Sequence, residues 1–205
     1  MLYRFSGRPF PASALSGAVG AETGPDEAAQ ALRSILVDPR AIASLPQSGW
    51  RLLYRIEDQA EFAAWDGRQG GWASVIVRPR NKAWRFAGSS FSVGPRAHKD
   101  GCGTAEWRVD PASPRPGPDS MRIALLVTEL ACTGGRSAEG RLLPPDVRYT
   151  DDAATITFFV TSLPPGAYRC PGNPPTLVEV DLLEPLADRR LLDGGVFPPR
   201  EATTG

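Results

Sequence analysis

Residues 26–37 carry apolar side chains at helical spacing. Four of them fall on one stripe: Ala28, Leu32, Ile35 and Leu36. Side chains three and four positions apart lie on the same side of an α-helix, so this spacing predicts a short amphipathic helix. After the turn-forming segment 46–49, residues 50–56 predict a β-strand because they are rich in apolar and aromatic side chains.

The next segment begins with a helix-start signal. Asp58 is followed three positions later by Glu61, which makes an Asp-initiated relative of the capping box. This arrangement predicts a brief helix that runs toward Trp65 and ends at the glycines that follow it.

Residues 72–78 and 83–86 are rich in β-branched and aromatic side chains. The turn-prone segment 78–82 joins them, so the two runs predict the strands of a hairpin. Residues 1–100 are therefore predicted to form a small α+β portion, with its boundary inside Ser89–Gly103.

Residues 101–205 are predicted to be all-β, since no further stretch carries a convincing period of 3.6 residues. The predicted strands are Ala105–Asp110, Met121–Leu130, Ala154–Leu163 and Thr176–Leu183. Strands of this length linked by loops rich in Pro and Gly are typical of a small antiparallel sandwich. The expected fold is thus an α+β N-terminal portion packed on an antiparallel, immunoglobulin-like β-sandwich.

Charge and hydropathy exclude several classes of partner. The 23 Lys and Arg residues balance 23 Asp and Glu residues, so the basic footprint of a nucleic-acid-binding protein is missing and no nucleic acid is expected. Apolar runs such as 123–127 are far shorter than the ~18–20 residues that span a bilayer, so no membrane insertion is expected. The first ten residues lack the apolar stretch of a signal peptide, which predicts a cytoplasmic location.

The chain has three cysteines, Cys102, Cys132 and Cys170, and none belongs to a Cys-x-x-Cys motif. A structural metal is therefore not expected. The odd number favours reduced thiols in a chain without an export signal, yet Cys132 and Cys170 fall in Gly/Pro-rich loops where a bridge could form. Both states remain open on these residues alone.

Candidate catalytic chemistry is sparse. His98 is the only histidine and is predicted to lie in a solvated loop, so a nucleophile–histidine pair has little support. Gly101-Cys-Gly103 begins like a dinucleotide loop, but Glu106 stands where the third glycine belongs, and no P-loop occurs. No cofactor is expected. The tryptophans of the predicted strands are expected in the core, where aromatic residues usually serve packing.

Carboxylates offer the main enzymatic alternative. A glycosidase-type hydrolase would need two acids to converge in a cleft, and the candidates are Asp151, Asp152, Asp188 and Asp193. The competing interpretation is that these acids form turns and solvated faces.

A progression of short motifs follows in the second half. The chain reads Glu129-Leu-Ala-Cys-Thr-Gly-Gly135, Cys170-Pro-Gly-Asn-Pro-Pro175 and Glu184-Pro-Leu-Ala-Asp-Arg-Arg-Leu-Leu-Asp-Gly-Gly195. Over about residues 104–199 this order resembles a group of uncharacterised actinobacterial proteins, many of them predicted lipoproteins or secreted proteins. Their shared patterns are E-x-A-C-x-x-G, C-x-G-N-P and E-P-L-x-x-R-x-L-x-D-G.

The resemblance implies a fold module and a compartment, and it implies no reaction. In exported relatives the cysteines that match Cys132 and Cys170 would be bridged, which gives the cell envelope or secretion as the alternative location. This chain departs from the group because it lacks a signal or a lipobox cysteine.

The motif residues also make sense as architecture. Glu184 and Arg189 flank a turn that an ion pair could hold, and Arg141 could pair with Glu129 beneath the long 131–153 loop. These observations favour a non-enzymatic binding or interaction module for a protein or cell-envelope ligand. The alternatives are a carboxylate-based hydrolase acting on envelope carbohydrate and a structural component of a larger assembly.

Overall fold

The computed structural model describes residues 1–38 and 45–203. The chain is mostly β, with several antiparallel sheets. It divides into two compact units, Met1–Pro95 and Arg96–Gly205, whereas the sequence placed the division between residues 100 and 101. The 89–103 segment therefore contains the boundary, but its last part already belongs to the second unit.

Unit 1 combines short helices with a four-stranded antiparallel sheet. Its first elements are β1 (Leu2–Arg4), β2 (Phe10–Pro11), α1 (Ser13–Ser16), a 3-10 turn (Ala21–Thr23) and α2 (Glu27–Val37). The sheet follows as β3 (Arg51–Ile56), β4 (Gln59–Asp66), β5 (Gly71–Arg80) and β6 (Ala83–Ser92). Its strands lie side by side in chain order, as hairpin connections require.

Helix α2 forms where the apolar spacing predicts it. Asp26 caps the helix, since its Oδ1 accepts the N–H groups of Ala28 at 2.9 Å and Ala29 at 3.1 Å. The apolar stripe of the helix packs on one face of the sheet, where Leu32 and Phe62 are almost fully buried. This packing gives unit 1 its own core.

The helix predicted from Asp58 toward Trp65 is wrong, because residues 59–66 form strand β4. The capping-box resemblance is local, whereas the segment is buried on both faces of the sheet, with Trp65 the one exposed residue between positions 59 and 66. Phe62 points into the core under α2, and Glu61 lies on the opposite face with its side chain fully buried. Glu61 resembles the acid of a helix-start motif, and this is why the sequence predicted a helix where the chain forms a strand.

The described residues of unit 2, 96–203, form nine strands. They are β7 (Arg96–His98), β8 (Cys102–Val109), β9 (Arg122–Glu129), β10 (Asp146–Tyr149), β11 (Ala153–Thr157), β12 (Phe159–Thr161), β13 (Thr176–Asp181), β14 (Arg190–Asp193) and β15 (Arg200–Glu201). Two four-stranded sheets have the orders β12-β8-β9-β13 and β10-β11-β14-β15. One pair, β11 and β14, is parallel, which an all-antiparallel sandwich does not include.

The strand predicted for Ala154–Leu163 is divided between the two sheets. Phe158 is the break: β11 ends at Thr157 in one sheet, and β12 begins at Phe159 in the other. Phe158 is fully buried, and its side chain belongs to a core that also contains Leu125 of β9. Side chains from both sheets therefore form the core of unit 2.

The longest helix within residues 1–38 and 45–203 has 11 residues, which is too short to cross a bilayer. In the same described ranges, no group of three or more His, Cys, Asp or Glu side chains is placed to hold a metal ion.

Candidate functional site

A polar cavity of about 330 Å³ lies in unit 2. Its floor is the surface of β8 and β9, where Glu106 stands opposite Thr128 and Arg108 opposite Leu126. Among the described residues, its lining consists of Glu106, Trp107, Arg108, Leu126, Thr128, Asp193, Arg200, Glu201 and Thr203. Charged side chains of both signs thus face one another across a concave surface.

The C-terminal segment forms one wall of this cavity. The N–H of Val109 donates to the carbonyl of Thr203 at 3.2 Å, and β15 pairs with β14 through Asp193 and Arg200. These backbone contacts hold Arg200 and Thr203 beside the end of β8. The wall is therefore built from residues distant in sequence from the floor.

Asp193 is the most shielded acid of the cavity, with 5% of its surface exposed. It ends β14, and its Oδ1 accepts the N–H of Gly195 at 2.8 Å. The glycines after it are required for space: a Cβ on Gly194 would lie 2.7 Å from Cγ2 of Thr155. Neither Gly194 nor Gly195 adopts a positive φ, so the demand at these positions is for space and not for a special backbone conformation.

The electrostatics of the cavity favour a neutral Asp193 in mildly acidic solution. Burial raises the pKa of Asp193 to about 6, although the Gly195 N–H and the charges of Arg200 and Arg96 act in the opposite direction. Glu106 is exposed, and its negative charge adds to the rise. A carboxyl group with a pKa near 6 can exchange a proton close to neutral pH.

Arg96 supplies buried positive charge next to this acid. Burial lowers the pKa of Arg96, and the charge of Arg200 lowers it further, while Glu106 and Asp193 raise it. Its Nη1 is buried without a hydrogen-bond partner in the described part of the chain. An unpaired buried nitrogen is costly, but Arg96 is not among the residues that line the cavity.

The four acids named for a hydrolase do not converge in one cleft, as that alternative requires. Asp151, Asp152 and Asp188 are exposed, and Asp152 binds Arg190 at 2.7 Å on the surface. In the parallel pair of β11 and β14, Ala153 is level with Arg190 but Ile156 is level with Asp193. Asp152 and Asp193 therefore stand at opposite ends of the strand pair, and the acids that share the cavity with Asp193 are Glu106 and Glu201.

Cys132 and Cys170 form a disulfide, with their Cα atoms 4.7 Å apart. It joins the loops that precede β10 and β13. Asn173 reinforces the junction, since its Nδ2 donates to the carbonyls of Glu129 at 2.8 Å and Ala131 at 2.6 Å. Cys102 is a free thiol.

The residues suggested for ion pairs lie as follows. Arg141 binds Glu129, whose side chain is 2% exposed, and its Nη1 also donates to the carbonyl of Thr161 at 3.0 Å. Arg189 binds Glu184 at 2.9 Å. Both pairs hold loops of unit 2 and lie outside the cavity lining.

His98 is less exposed than a solvated loop would make it. It lies on β7 with 12% of its side chain exposed, and its Nε2 is 3.0 Å from Oδ1 of Asp100. The expected surface position is wrong in this respect. His98 does not line the cavity.

Four tryptophans were expected in the core. Trp50, Trp72 and Trp107 are buried, while Trp84 is partly buried. Trp107 lines the cavity from below, and its Nε1 donates to the carbonyl of Ile156 at 2.9 Å. Its indole therefore belongs to the core of unit 2 and also forms part of the cavity floor.

Sequence reasoning missed Glu106 and Arg200. Glu106 occupies an outward position between Ala105 and Trp107, and an isolated acid on such a position normally marks a solvated face. Arg200 lies in a two-residue strand that no periodicity reveals. The outward alternation of β8 was the one signal that could have placed Glu106 and Arg108 on a common surface.

Comparison with known proteins gives no match, whether with family models, curated proteins or solved structures.

Proposed function

We propose that this protein is a non-enzymatic binding module that holds a polar, hydroxyl-rich ligand in the unit 2 cavity. The observation that carries this proposal is the combination of buried Asp193 with Arg200 in the lining of one concave surface. Carboxylates accept hydrogen bonds and guanidinium groups donate them, so a ligand with hydroxyl groups meets both needs. A cavity of about 330 Å³ suits a ligand as small as one sugar residue.

The disulfide supports an oxidising location, because cytosolic thiols are normally kept reduced. We propose the cell envelope or the extracellular space, in agreement with the resemblance to exported actinobacterial proteins. The test is peptide mapping of protein alkylated directly in its native host. A Cys132–Cys170 bridge in that sample supports this location. Two alkylated thiols would instead support the cytoplasmic location predicted from the sequence.

We also propose that unit 2 is an immunoglobulin-like sandwich. Its support is the core shared by two four-stranded sheets and the strand that passes from one sheet to the other at Phe158. Greek-key sandwiches distribute strands between two sheets in this way. The parallel pair of β11 and β14 is a departure from that pattern.

The binding proposal is tested by calorimetric titration of the full chain with glucuronic acid and with cellobiose. Binding that is lost in Arg200→Gln and kept in Arg115→Gln, a change in a loop outside the cavity lining, supports the site. Absence of heat with both sugars at millimolar concentration contradicts a sugar-like ligand.

A carboxylate-based hydrolase is the second candidate, and one observation favours it. Asp193 has a pKa of about 6, which suits a general acid, and Glu106 shares its cavity. Release of reducing ends from envelope polysaccharide, abolished in Asp193→Asn and in Glu106→Gln, would establish this activity. Binding without release supports the module.

A further inference from the structure

The β5–β6 hairpin of unit 1 has a strongly basic tip. Asn81 and Lys82 form its turn and both adopt positive φ, at 52° and 63°, as two-residue hairpin turns require. Four cationic residues lie in the tip: Arg78, Arg80, Lys82 and Arg85. Arg78 stands opposite Arg85 in the strand register, and like charges in that position repel one another.

A neutral side chain fixes the direction of Arg78. Its Nε donates to Oε1 of Gln59 at 3.0 Å, and its Nη2 donates to the same oxygen at 2.7 Å. Gln59 is 5% exposed, and its Nε2 donates to the hydroxyl of Tyr54. An amide therefore orients the guanidinium without neutralising its charge.

The same network positions the N-terminal loop. The hydroxyl of Tyr54 also accepts the backbone N–H of Arg8 at 3.0 Å. Beneath it, Glu61 is fully buried, and a Cβ on Gly7 would collide with the Glu61 carboxylate. Only a glycine at position 7 lets the loop lie this close, so Arg8 is held at a defined place.

Arg8 and Arg78 border one cavity of about 510 Å³, together with Asp58 and Gln59. Among the ion pairs of residues 1–38 and 45–203, none involves Arg8, Arg78 or Arg85. Asp58 is the one acid of the lining, so the two arginines leave an excess of one positive charge. Nη1 of Arg78 and the second hydrogen of its Nη2 remain free to donate.

We propose that this cavity binds an oxyanion, namely the phosphate or carboxylate group of a small ligand. Arg78 provides two parallel donors, which match the geometry of both groups. Arg8 supplies further positive charge from the facing loop, and Gln59 acts as the positioning residue. This site lies in unit 1 and does not depend on the function proposed for the unit 2 cavity.

Calorimetric titration of the full chain with inorganic phosphate, and separately with acetate, tests the proposal at constant ionic strength. We expect one bound anion per chain. Binding of phosphate alone assigns a phosphate-bearing ligand, and binding of acetate as well assigns a carboxylate-bearing one. If neither anion gives heat at millimolar concentration, the proposal is overturned.

Three variants locate the site. Arg78→Gln should weaken binding about tenfold, since it removes a charge-assisted pair of hydrogen bonds. Gln59→Glu keeps an acceptor for Arg78 but neutralises it, so a similar loss is expected. Arg4→Gln changes an exposed arginine of β1 in the same unit and should leave the affinity unchanged.

Thermal melting of each variant shows whether it is folded, and Arg78→Lys provides a conservative change that keeps the charge. A folded Arg78→Lys should bind more weakly than the wild type because lysine cannot donate in parallel. Equal losses in Arg4→Gln and Arg78→Gln, or wild-type affinity in a folded Gln59→Glu, would overturn the proposal.

Discussion

Gly195 lies against both Asp193 and the backbone of β8, and these contacts leave no room for a larger residue in its place. Its N–H donates to Oδ1 of Asp193 at 2.8 Å, and a Cβ at Gly195 would lie 2.8 Å from the carbonyl oxygen of Ala105. That oxygen belongs to the backbone of β8, so it cannot move aside as a flexible side chain would. The glycine therefore allows the end of β14 to approach β8 and brings Asp193 to the cavity.

Gly195→Ala should destabilise the protein by about 1–3 kcal/mol, which is the usual cost of forcing a methyl group into a filled space. The matched control is Gly117→Ala, because nothing lies within 4 Å of a Cβ at that position and its φ is not positive. Chemical denaturation measures both changes. Equal stability of the two variants would contradict the close packing of Gly195 against β8.

Asp193→Asn should change how stability depends on pH. The folded-state pKa is raised from 3.8 to about 6, so the folded protein holds this proton more tightly than the unfolded chain. The associated stability is fully present below pH 3.8 and is lost as the pH rises to about 6. Two pKa units correspond to about 3 kcal/mol, and the asparagine variant should lack this loss.

Denaturation of both proteins at several pH values between 3 and 8 checks this expectation. As the pH rises across that range, the unfolding free energy of the wild type should fall relative to that of Asp193→Asn. Asp151→Asn is the control, since Asp151 is exposed. Parallel pH profiles for the wild type and Asp193→Asn would show that Asp193 is not desolvated in solution.

Local signals predicted the parts of the fold that depend on local chemistry. Helix α2 follows from its apolar stripe and its Asp26 cap, and the β5–β6 hairpin follows from β-rich runs around a turn. Strand β4 was missed because burial of Glu61 beneath Gly7 depends on a segment fifty residues away in sequence. Tertiary packing therefore made this segment a strand, although its local motif favours a helix.

The candidate cavity was less predictable for the same reason. Asp193 was among the acids considered, but its partner Glu106 comes from another sheet, and Arg200 comes from a strand of two residues. The break of one predicted strand at Phe158 also depends on which sheet each half joins. Pairing between strands that are distant in sequence sets these positions, and such pairing cannot be deduced from a short stretch of the chain.

Cys132→Ser should destabilise unit 2 by about 4 kcal/mol. The disulfide closes a loop with a sequence separation of 38, and the chain-entropy model gives roughly this value for such a loop. Cys102→Ser is the control because Cys102 is a free thiol. Denaturation of wild-type protein with and without reductant should reproduce the difference, and an unchanged midpoint in reductant would contradict it.

Arg141→Leu should be among the more harmful single changes in unit 2. It leaves Glu129, whose side chain is 2% exposed, without its cationic partner, and an unpaired buried charge usually costs about 3–5 kcal/mol. The variant also removes the donors to the carbonyls of Thr161 and Ser137. Denaturation by guanidinium chloride measures the loss.

The control for this pair is Arg190→Leu, which breaks exposed pairs with Asp152 and Glu201 and should cost about 1 kcal/mol or less. A double variant, Glu129→Leu with Arg141→Leu, should recover much of the stability lost by Arg141→Leu, since it removes the stranded charge. If Arg141→Leu costs no more than Arg190→Leu, the Glu129–Arg141 pair does not hold the loop before β10. If the double variant recovers nothing, the backbone contacts of Arg141 matter more than its charge.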